Sequence, residues 1–308
     1  MLRRTFHLLS GAVIASSLCA GAAHSSLILQ ADFNGPDNGT GGATDMASLG
    51  ATAKTFFNNT IDATTPFAPG SGSYSHYGTQ GPDGGYVIIK PLAPASSPAA
   101  LTPVVGTDRV MNGGLDFFMR SDHALTASEM RFFDISGETG GLRIFLDSKD
   151  SDTLRLYVTS PTNGIIGGND DSQPGSASQR IVDASFNGGF LANTVYHVGV
   201  TFETDGTGVV TAKVYIKEGI GAIDLVNDVA GGSVTFGIDE NNTTGGLRDG
   251  TFTVNKAQKN KPASHDMDTF RLYDAVPTTF EALVIPEPAT LGLMGIGLLL
   301  LSKRSSKQ

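Results

Sequence analysis

The sequence of 308 residues contains no tryptophan and a single cysteine. That residue, Cys19, lies within the first 25 residues, so the rest of the chain can form no internal disulfide and offers no thiol for catalysis. A folded region of this size without disulfides has to be stabilised by a conventional hydrophobic core. About 260 residues are available to build that core, a length that all-β sandwiches reach as one domain.

Motifs of several enzyme classes are also missing. No histidine pair has the spacing of a zinc site, and there is no Gly-Lys-Ser/Thr phosphate loop and no Gly-X-Ser-X-Gly elbow. Glycosidases need two carboxylates that flank the scissile bond, and no strand-like run carries such a pair. The sequence therefore predicts a protein that is not an enzyme.

The N-terminal segment has the three parts of an export signal. Arg3 and Arg4 are followed by an apolar stretch, Leu8–Leu18, and then by small residues around Ala20 and Ala22. This order predicts a signal peptide over residues 1–25, with a short N-terminal anchor as the alternative.

Basic residues are scarce, since 21 lysines and arginines stand against 30 aspartates and glutamates. Removal of residues 1–25 and 284–308 would leave 16 basic and 29 acidic residues, a net charge of −13. A surface of this charge repels nucleic acid, which we exclude as a partner, and is compatible with bound divalent cations or with solubility alone.

Between the two ends, short apolar runs alternate with turn residues, and the alternation predicts β-strands. The clearest hairpin covers residues 195–218, with Tyr196, Val198, Val200 and Phe202 on one face, and Asp205, Gly206 and Gly208 in its turn. A second hairpin is predicted over residues 142–158. Further strands are predicted at Leu27–Phe33, Leu115–Met119, Met130–Ile135, Ile181–Ser185, Ser233–Ile238, Thr251–Val254 and Thr269–Tyr273.

Two stretches are predicted to be long loops. Residues 35–85 are rich in Gly, Thr, Asn and Ser, and residues 90–103 contain four prolines, which central strands do not accommodate. The pattern as a whole indicates a two-sheet antiparallel sandwich over residues 26–283.

The C-terminal segment, residues 284–308, combines three features in a fixed order. Pro286, Glu287 and Pro288 precede an apolar run of 13 residues from Ala289 to Leu301, and Lys303 and Arg304 follow it. A membrane-spanning helix needs about 17–25 residues, so this run is short for a permanent anchor.

This arrangement resembles the PEP-CTERM sorting signal of Gram-negative bacteria. The resemblance implies that Pro286, Glu287 and Pro288 form the sorting motif, that a short hydrophobic helix is held transiently in the inner membrane, and that Lys303 and Arg304 stop its transfer. It further implies processing by an exosortase, a membrane cysteine peptidase, and delivery to the cell surface or the exopolysaccharide matrix. The alternative is a permanent tail anchor.

The body resembles laminin G-like and concanavalin A-like jelly rolls. The likeness rests on the hairpin TVYHVGVTFETDGTGVVTAKVYIKEG, on DMDTFRLYDAVPTTFEA as the closing strand and on LILQADFNG as the opening strand. Tyr196 stands where those domains usually have tryptophan. The resemblance implies an all-β jelly-roll sandwich, a fold that hosts lectins, enzymes and passive modules alike.

Calcium is the one ion that the resemblance suggests, because jelly rolls of this kind often bind it through loop carboxylates. The candidate ligands are Asp32, Asp266 and Asp268, near the opening and closing strands, with Asp32 and Asp268 as the preferred pair. The alternative is that these acidic residues are simply solvated. The acidic turn with Asp147, Asp150 and Asp152 is a second candidate. No other cofactor is expected.

Glycan contact would need exposed aromatic side chains. Tyr74, Tyr77 and Tyr86 cluster in the long polar stretch and could form a binding platform or anchor that stretch on the core. A polysaccharide lyase would instead need a convergent polar group, for which the strand residues Tyr196, His197, Tyr215 and Arg271 are the candidates; ordinary surface pairs are the alternative.

These patterns predict an exported, exosortase-processed protein of the cell surface or exopolysaccharide matrix with a non-enzymatic adhesion or structural module. A calcium-dependent carbohydrate-binding module is the alternative, and a polysaccharide-degrading enzyme is disfavoured by the missing carboxylate pair.

Overall fold

The structure, a computed structural model, describes residues 25, 27–31, 48–49, 51–57, 60–62, 67, 74–77, 85–91, 111–127, 130–136, 143–160, 165–166, 178–205, 207–238, 252–257 and 265–283. Within these ranges every regular element is a β-strand. No helix in the same ranges has the length and apolar character required to cross a membrane. The predicted signal helix and C-terminal helix lie outside the described residues.

The described strands are numbered in chain order. They are β1 (Leu27–Ala31), β2 (Ser48–Leu49), β3 (Ala51–Phe57), β4 (Thr60–Asp62), β5 (Tyr74–Tyr77), β6 (Gly85–Pro91), β7 (Gly113–Ser121), β8 (Met130–Ser136), β9 (Arg143–Ser148), β10 (Thr153–Ser160), β11 (Ile165–Ile166), β12 (Ser178–Ser185), β13 (Val195–Thr204), β14 (Val209–Glu218), β15 (Ile223–Asp224), β16 (Gly232–Ile238), β17 (Phe252–Ala257), β18 (His265–Tyr273) and β19 (Thr279–Phe280).

All described pairings between these strands are antiparallel, and they form two large sheets and one small one. The first large sheet has the order β11-β16-β14-β13-β7-β18-β1-β2, with β5 beside β18 and β4 beside β5. The second has the order β12-β10-β9-β8-β17-β6-β3, and β15 pairs only with β19. The predicted all-β antiparallel sandwich is therefore confirmed.

The two large sheets pack face to face through a continuous apolar core. Phe117 of β7 lies in the first sheet, and its ring centroid is 5.8 Å from that of Phe132 and 6.2 Å from that of Phe133, both on β8 of the second sheet. Because the chain forms no internal disulfide, burial of this apolar surface is the main source of its stability.

The hairpin of β13 and β14 has the predicted faces. Tyr196, Val198, Val200 and Phe202 all point into the core. In the turn, Asp205 Oδ1 accepts hydrogen bonds from the backbone N–H of Thr207 (2.7 Å) and Val209 (3.0 Å), and Gly208 has a φ of 85°. The hydrogen bond that the Thr207 hydroxyl donates to the same oxygen (2.7 Å), followed by these backbone bonds, lowers the pKa of Asp205. The second predicted hairpin, β9 and β10, is also present.

One prediction about the N-terminal half was wrong. Residues 35–85 are not one long loop, because they contain β2, β3, β4 and β5 together with the first residue of β6. The threonines of this stretch are good strand formers, and pairing with neighbouring strands compensates for its polar composition. The prediction that residues 90–103 lie outside a central strand was wrong for Lys90 and Pro91, which end β6 between β17 and β3. Pro91 is tolerated there because it is the last residue of the strand, next to a register shift between Ala51 and Ala53 of β3. Residues 92–103 lie outside the described residues.

Two segments cover the outer face of the first sheet, the face turned away from the core. We call residues 219–230 and 274–283 together the covering layer, and residues 274–283 alone the C-terminal strap. The two segments are joined to each other by the pairing of β15 with β19 and by a hydrogen bond from Leu225 N–H to the Thr278 carbonyl (3.0 Å). The covering layer was not predicted from the sequence.

Candidate functional site

Most residues of the sequence-predicted sorting and calcium sites lie outside the described residues. These are Asp32, Pro286, Glu287, Pro288, Lys303 and Arg304. Among the described residues, no three His, Cys, Asp or Glu side chains are grouped as a metal site requires.

The two remaining calcium candidates lie on β18. Asp266 Oδ2 accepts hydrogen bonds from Arg120 Nε (2.7 Å) and Nη2 (2.6 Å), so its charge is already matched by an arginine. Asp268 is buried and accepts a hydrogen bond from the Thr269 hydroxyl (3.1 Å). A calcium site that included Asp266 would have to compete with Arg120, and the calcium site stays a prediction.

The three tyrosines proposed for glycan contact lie on two strands of different sheets. Tyr74 and Tyr77 are the ends of β5, where Tyr77 pairs with His265 of β18. Tyr86 lies on β6 opposite Phe57 of β3. Their side chains are outside the described part of the structure, so the choice between glycan platform and anchor stays a prediction.

A buried polar cluster occupies the outer face of the first sheet. Asp116 of β7, His197 of β13 and Arg271 of β18 lie on three adjacent strands at its centre. Asp116 Oδ2 is 2.7 Å from His197 Nε2, and the Arg271 guanidinium bonds to both carboxylate oxygens, with Nε at 3.0 and 3.1 Å and with Nη2 on Oδ2. We call these three residues the Asp116 cluster.

A β-bulge places Arg271 in this cluster. Asp266 and Asp268 point to the outer face of β18, and a regular alternation would put residue 270 there next. The register shifts between Asp268 and Arg271, and Thr269 has a φ of 46°. The extra residue turns Phe270 into the core and Arg271 outward, opposite Asp116.

The polar atoms of the cluster have hydrogen-bond partners within it and in the covering layer. His197 Nδ1 is 2.7 Å from the carbonyl oxygen of Gly221, and its Nε2 faces a carboxylate oxygen. Both partners are acceptors, so each ring nitrogen is placed to donate a hydrogen bond. Burial alone would lower the pKa of Arg271, but the charge and hydrogen bonds of Asp116 raise it. One carboxylate thus binds both a guanidinium and an imidazole ring.

The cluster ties the covering layer to the sheet. His197 donates to the carbonyl oxygen of Gly221 in one covering segment, and Arg271 Nη2 donates to that of Glu281 in the strap (2.5 Å). His197 also stacks on Phe118, with 4.1 Å between ring centroids. Asp116 and His197 are both 0% exposed.

Phe280 is the apolar anchor of the strap. It is fully buried and packs with Tyr215, Ile223 and Tyr273. Its ring lies directly on the backbone of β13, because a Cβ atom added to Gly199 would be 2.4 Å from two ring carbons. The glycine in the middle of a strand is therefore required by the close approach of this ring.

The lyase candidates are only partly brought together. His197, Tyr215 and Arg271 share the outer face beneath the strap, whereas Tyr196 points into the core. The Tyr196 hydroxyl donates to the Gly189 carbonyl (3.2 Å) and accepts from Leu191 N–H (2.7 Å). The side chains with acid–base chemistry are therefore engaged in internal hydrogen bonds.

A second row of polar and aromatic side chains crosses the outer face of the other large sheet. Arg131 holds Asp147 with two hydrogen bonds (2.7 and 3.1 Å) and lies 4.1 Å from the ring centroid of Phe145. Phe145 stacks on Tyr157 with 4.4 Å between centroids. Asp147 was predicted to lie in the acidic turn, but it belongs to β9, and only Asp150 and Asp152 are turn residues.

The same row ends at an exposed ion pair on β10 and β12. Arg155 bonds to both carboxylate oxygens of Asp183 (2.6 and 2.9 Å), and Lys149 adds a bond of 2.8 Å. The hydrogen bond of Arg155, followed by that of Lys149, lowers the pKa of Asp183 to about 2. Arg131 and Tyr157 both lie against the ring of Phe145, so this ring offers no free face on which a sugar could stack.

Arg180 on β12 is a buried arginine with an unsatisfied hydrogen-bond donor. It lies on the core side of its strand with Val182 and Ala184, is 7% exposed, and its Nε has no hydrogen-bond partner in the described part of the chain. Burial lowers its pKa. Burying an unsatisfied polar group costs about 1–3 kcal/mol.

We expect Arg180→Met to raise the free energy of unfolding by about 1–2 kcal/mol, because the buried, unpaired Nε is removed while most of the side-chain volume is kept. Urea unfolding followed by circular dichroism measures the change. Arg155→Met is the matched control, since it breaks an exposed ion pair and should lower stability by at most about 1 kcal/mol. A destabilised Arg180→Met variant would contradict this account.

The central residue of the buried cluster was missed by sequence reasoning. The signal was present, because GGLDFFMRS places one aspartate inside an otherwise apolar strand. A carboxylate at such a position requires a buried cationic partner, and Arg271 on the predicted closing strand was available.

Comparison with solved structures found distant similarity to binding domains and to a lyase. The binding domain of botulinum neurotoxin DC in complex with SialylT is 15% identical, with a TM-score of 0.48, over 81% of this chain and 48% of that one. The PL-14 alginate lyase from Aplysia kurodai is 10% identical, with a TM-score of 0.41, over 70% of this chain and 86% of that one. The chain spans about half the length of the neurotoxin structures.

A search of curated proteins found no match. A family comparison matched residues 284–307, which begin directly after the C-terminal strap. These residues match the PEP-CTERM protein-sorting motif, so this chain carries the sorting motif of an exported protein immediately after its β-sandwich.

Proposed function

We propose that the protein is processed by an exosortase and delivered to the cell surface or the exopolysaccharide matrix, where its sandwich acts as a non-enzymatic adhesion or structural module. The sorting motif supports export. The observation that carries the second part is the burial of the Asp116 cluster, whose three side chains hold the covering layer in place.

Burial decides between a structural and a catalytic role for these side chains. A general acid or base must come within hydrogen-bond reach of a substrate. Asp116 and His197 have no exposed surface, and Arg271 is 4% exposed. A substrate could reach them only after the strap had left the sheet, which would expose Phe280 and break the bond of Arg271 to Glu281.

The experiment uses the protein recovered from the surface of the producing cells, together with the purified matrix polysaccharide of those cells. We expect the protein to co-sediment with the matrix and the polysaccharide to keep its chain length. Shortened chains or new reducing ends would overturn the non-enzymatic role. Intact mass gives the processing state, and residues beyond Pro288 still present would overturn the processing.

The same experiment, repeated with a calcium chelator, tests the alternative of a calcium-dependent carbohydrate-binding module. Co-sedimentation that is lost with chelator and restored by calcium would favour that alternative and would support Asp32 and Asp268 as ligands. Binding that is unchanged by chelator favours the adhesion or structural role.

A further inference from the structure

The β-sandwich includes Leu283, the residue directly before the sorting motif. Leu283 is 6% exposed and packs against Phe67 and Phe118. Its N–H donates to the carbonyl oxygen of Ile220 (3.0 Å). The next residue, Val284, is the first one matched by the sorting motif.

This attachment limits how far the motif can move from the body. An extended chain advances at most about 3.3–3.6 Å per residue, so Glu287 lies within about 14 Å of Leu283 and Ala289 within about 21 Å. These distances are shorter than the diameter of a small domain, about 30 Å. An enzyme that acts on the motif therefore has to touch the folded body.

Detaching the C-terminal strap from the sheet would let the sorting motif move further from the sandwich, but it would lower the stability of the fold. Releasing it would expose Phe280, which is fully buried, and would separate Arg271 from the Glu281 carbonyl and β19 from β15. Burying a Phe side chain alone contributes about 1.5–3 kcal/mol. Leu283 is thus held in a fixed position on the sandwich.

We propose that the surface around this point, formed by Ile220, Gly221, Glu281 and Ala282, is the contact surface for the membrane peptidase that removes the tail. This inference rests on the processing step of the proposed function. Gly221 and Glu281 are exposed, and Ile220 and Ala282 are half-buried. A Cβ atom at Gly221 would have no other heavy atom within 4 Å, so a side chain there would point into open space.

Site-specific photo-crosslinking in the full-length chain, expressed in the producing cells, tests the contact. The crosslinking residue replaces Glu281 or Gly221, and in the control it replaces Glu203, an exposed glutamate at the opposite end of the β13–β14 hairpin. Val195, at the other end of β13, packs on the cluster that contains Leu283, and Glu203 is about 27 Å from it along the strand. We expect the peptidase adduct to be several-fold stronger from residues 281 and 221 than from residue 203.

A second variant changes only the distance that the sorting motif can move from Leu283. A twelve-residue Gly-Ser linker inserted between Leu283 and Val284 adds about 20 Å of flexible span, so we expect the peptidase adduct to fall to the level of the Glu203 control while the tail is still removed. An adduct that the linker leaves unchanged would overturn the proposal.

The outcomes separate the contact from the processing itself. If intact mass shows that the tail is never removed from the unmodified chain, the proposed processing fails. If the tail is removed but residues 281 and 221 give only lipid adducts, or no more peptidase adduct than residue 203, the contact surface is wrong and the processing stands.

Discussion

Replacing Asp116 with asparagine is expected to lower the free energy of unfolding by about 3–5 kcal/mol, the range found when one partner of a buried ion pair is removed. The variant keeps the volume of the side chain but leaves the buried Arg271 guanidinium without its counter-charge and removes the carboxylate that faces His197 Nε2. The chain has no tryptophan, so urea unfolding of the exported protein is best followed by circular dichroism.

Asp183→Asn is the matched control. Asp183 also binds an arginine through both oxygens, but its side chain is 38% exposed, and exposed pairs contribute about 0.2–1 kcal/mol. The large difference between two chemically identical substitutions would come from burial alone. Equal losses in both variants would contradict the role given to the cluster.

A double substitution tests the coupling within the cluster. Arg271→Gln removes the guanidinium that bonds to both carboxylate oxygens of Asp116. The combined variant should therefore lose less stability than the sum of the two single losses. Additive losses would mean that the two side chains stabilise the fold through separate contacts.

The parts of this fold that depend on local sequence were predicted from it. The β13–β14 hairpin follows from alternating residues and from Asp205 and Gly208 in its turn. The sorting motif is a contiguous segment and needs no tertiary information to be identified. Strands β2 to β5 were missed because their polar residues give no alternating apolar signal, and pairing with other strands determines their structure.

The buried cluster depends on information that is not local. Asp116 and Arg271 are 155 residues apart in the chain, and their contact exists only because β7 and β18 are neighbours. A regular β18 would place Arg271 in the core, so the bulge at Thr269 also had to be known. The identity of each residue was visible in the sequence, but its partner was determined by the register of two distant strands.

The second large effect is expected at Gly199. Gly199→Ala should lower the free energy of unfolding by about 2–3 kcal/mol, although alanine is otherwise the better strand residue. The added Cβ would be 2.4 Å from two ring carbons of Phe280, and that ring is fully buried between Tyr273 and Ile223. The ring has to move outward, and the strap moves with it. Urea unfolding measures the loss, and limited proteolysis reports whether cleavage appears within residues 274–283.

Gly221→Ala is the control, because its Cβ would meet nothing within 4 Å and stability should change by less than about 0.5 kcal/mol. The decisive comparison uses Phe280→Ala, which on its own should cost about 3–5 kcal/mol. In that background the ring is absent, so Gly199→Ala should cause no further loss. If Gly199→Ala were equally destabilising with and without the Phe280 ring, the glycine would be required by the strand itself and not by the strap. The close packing of the strap on β13 would then no longer explain why this strand contains a glycine.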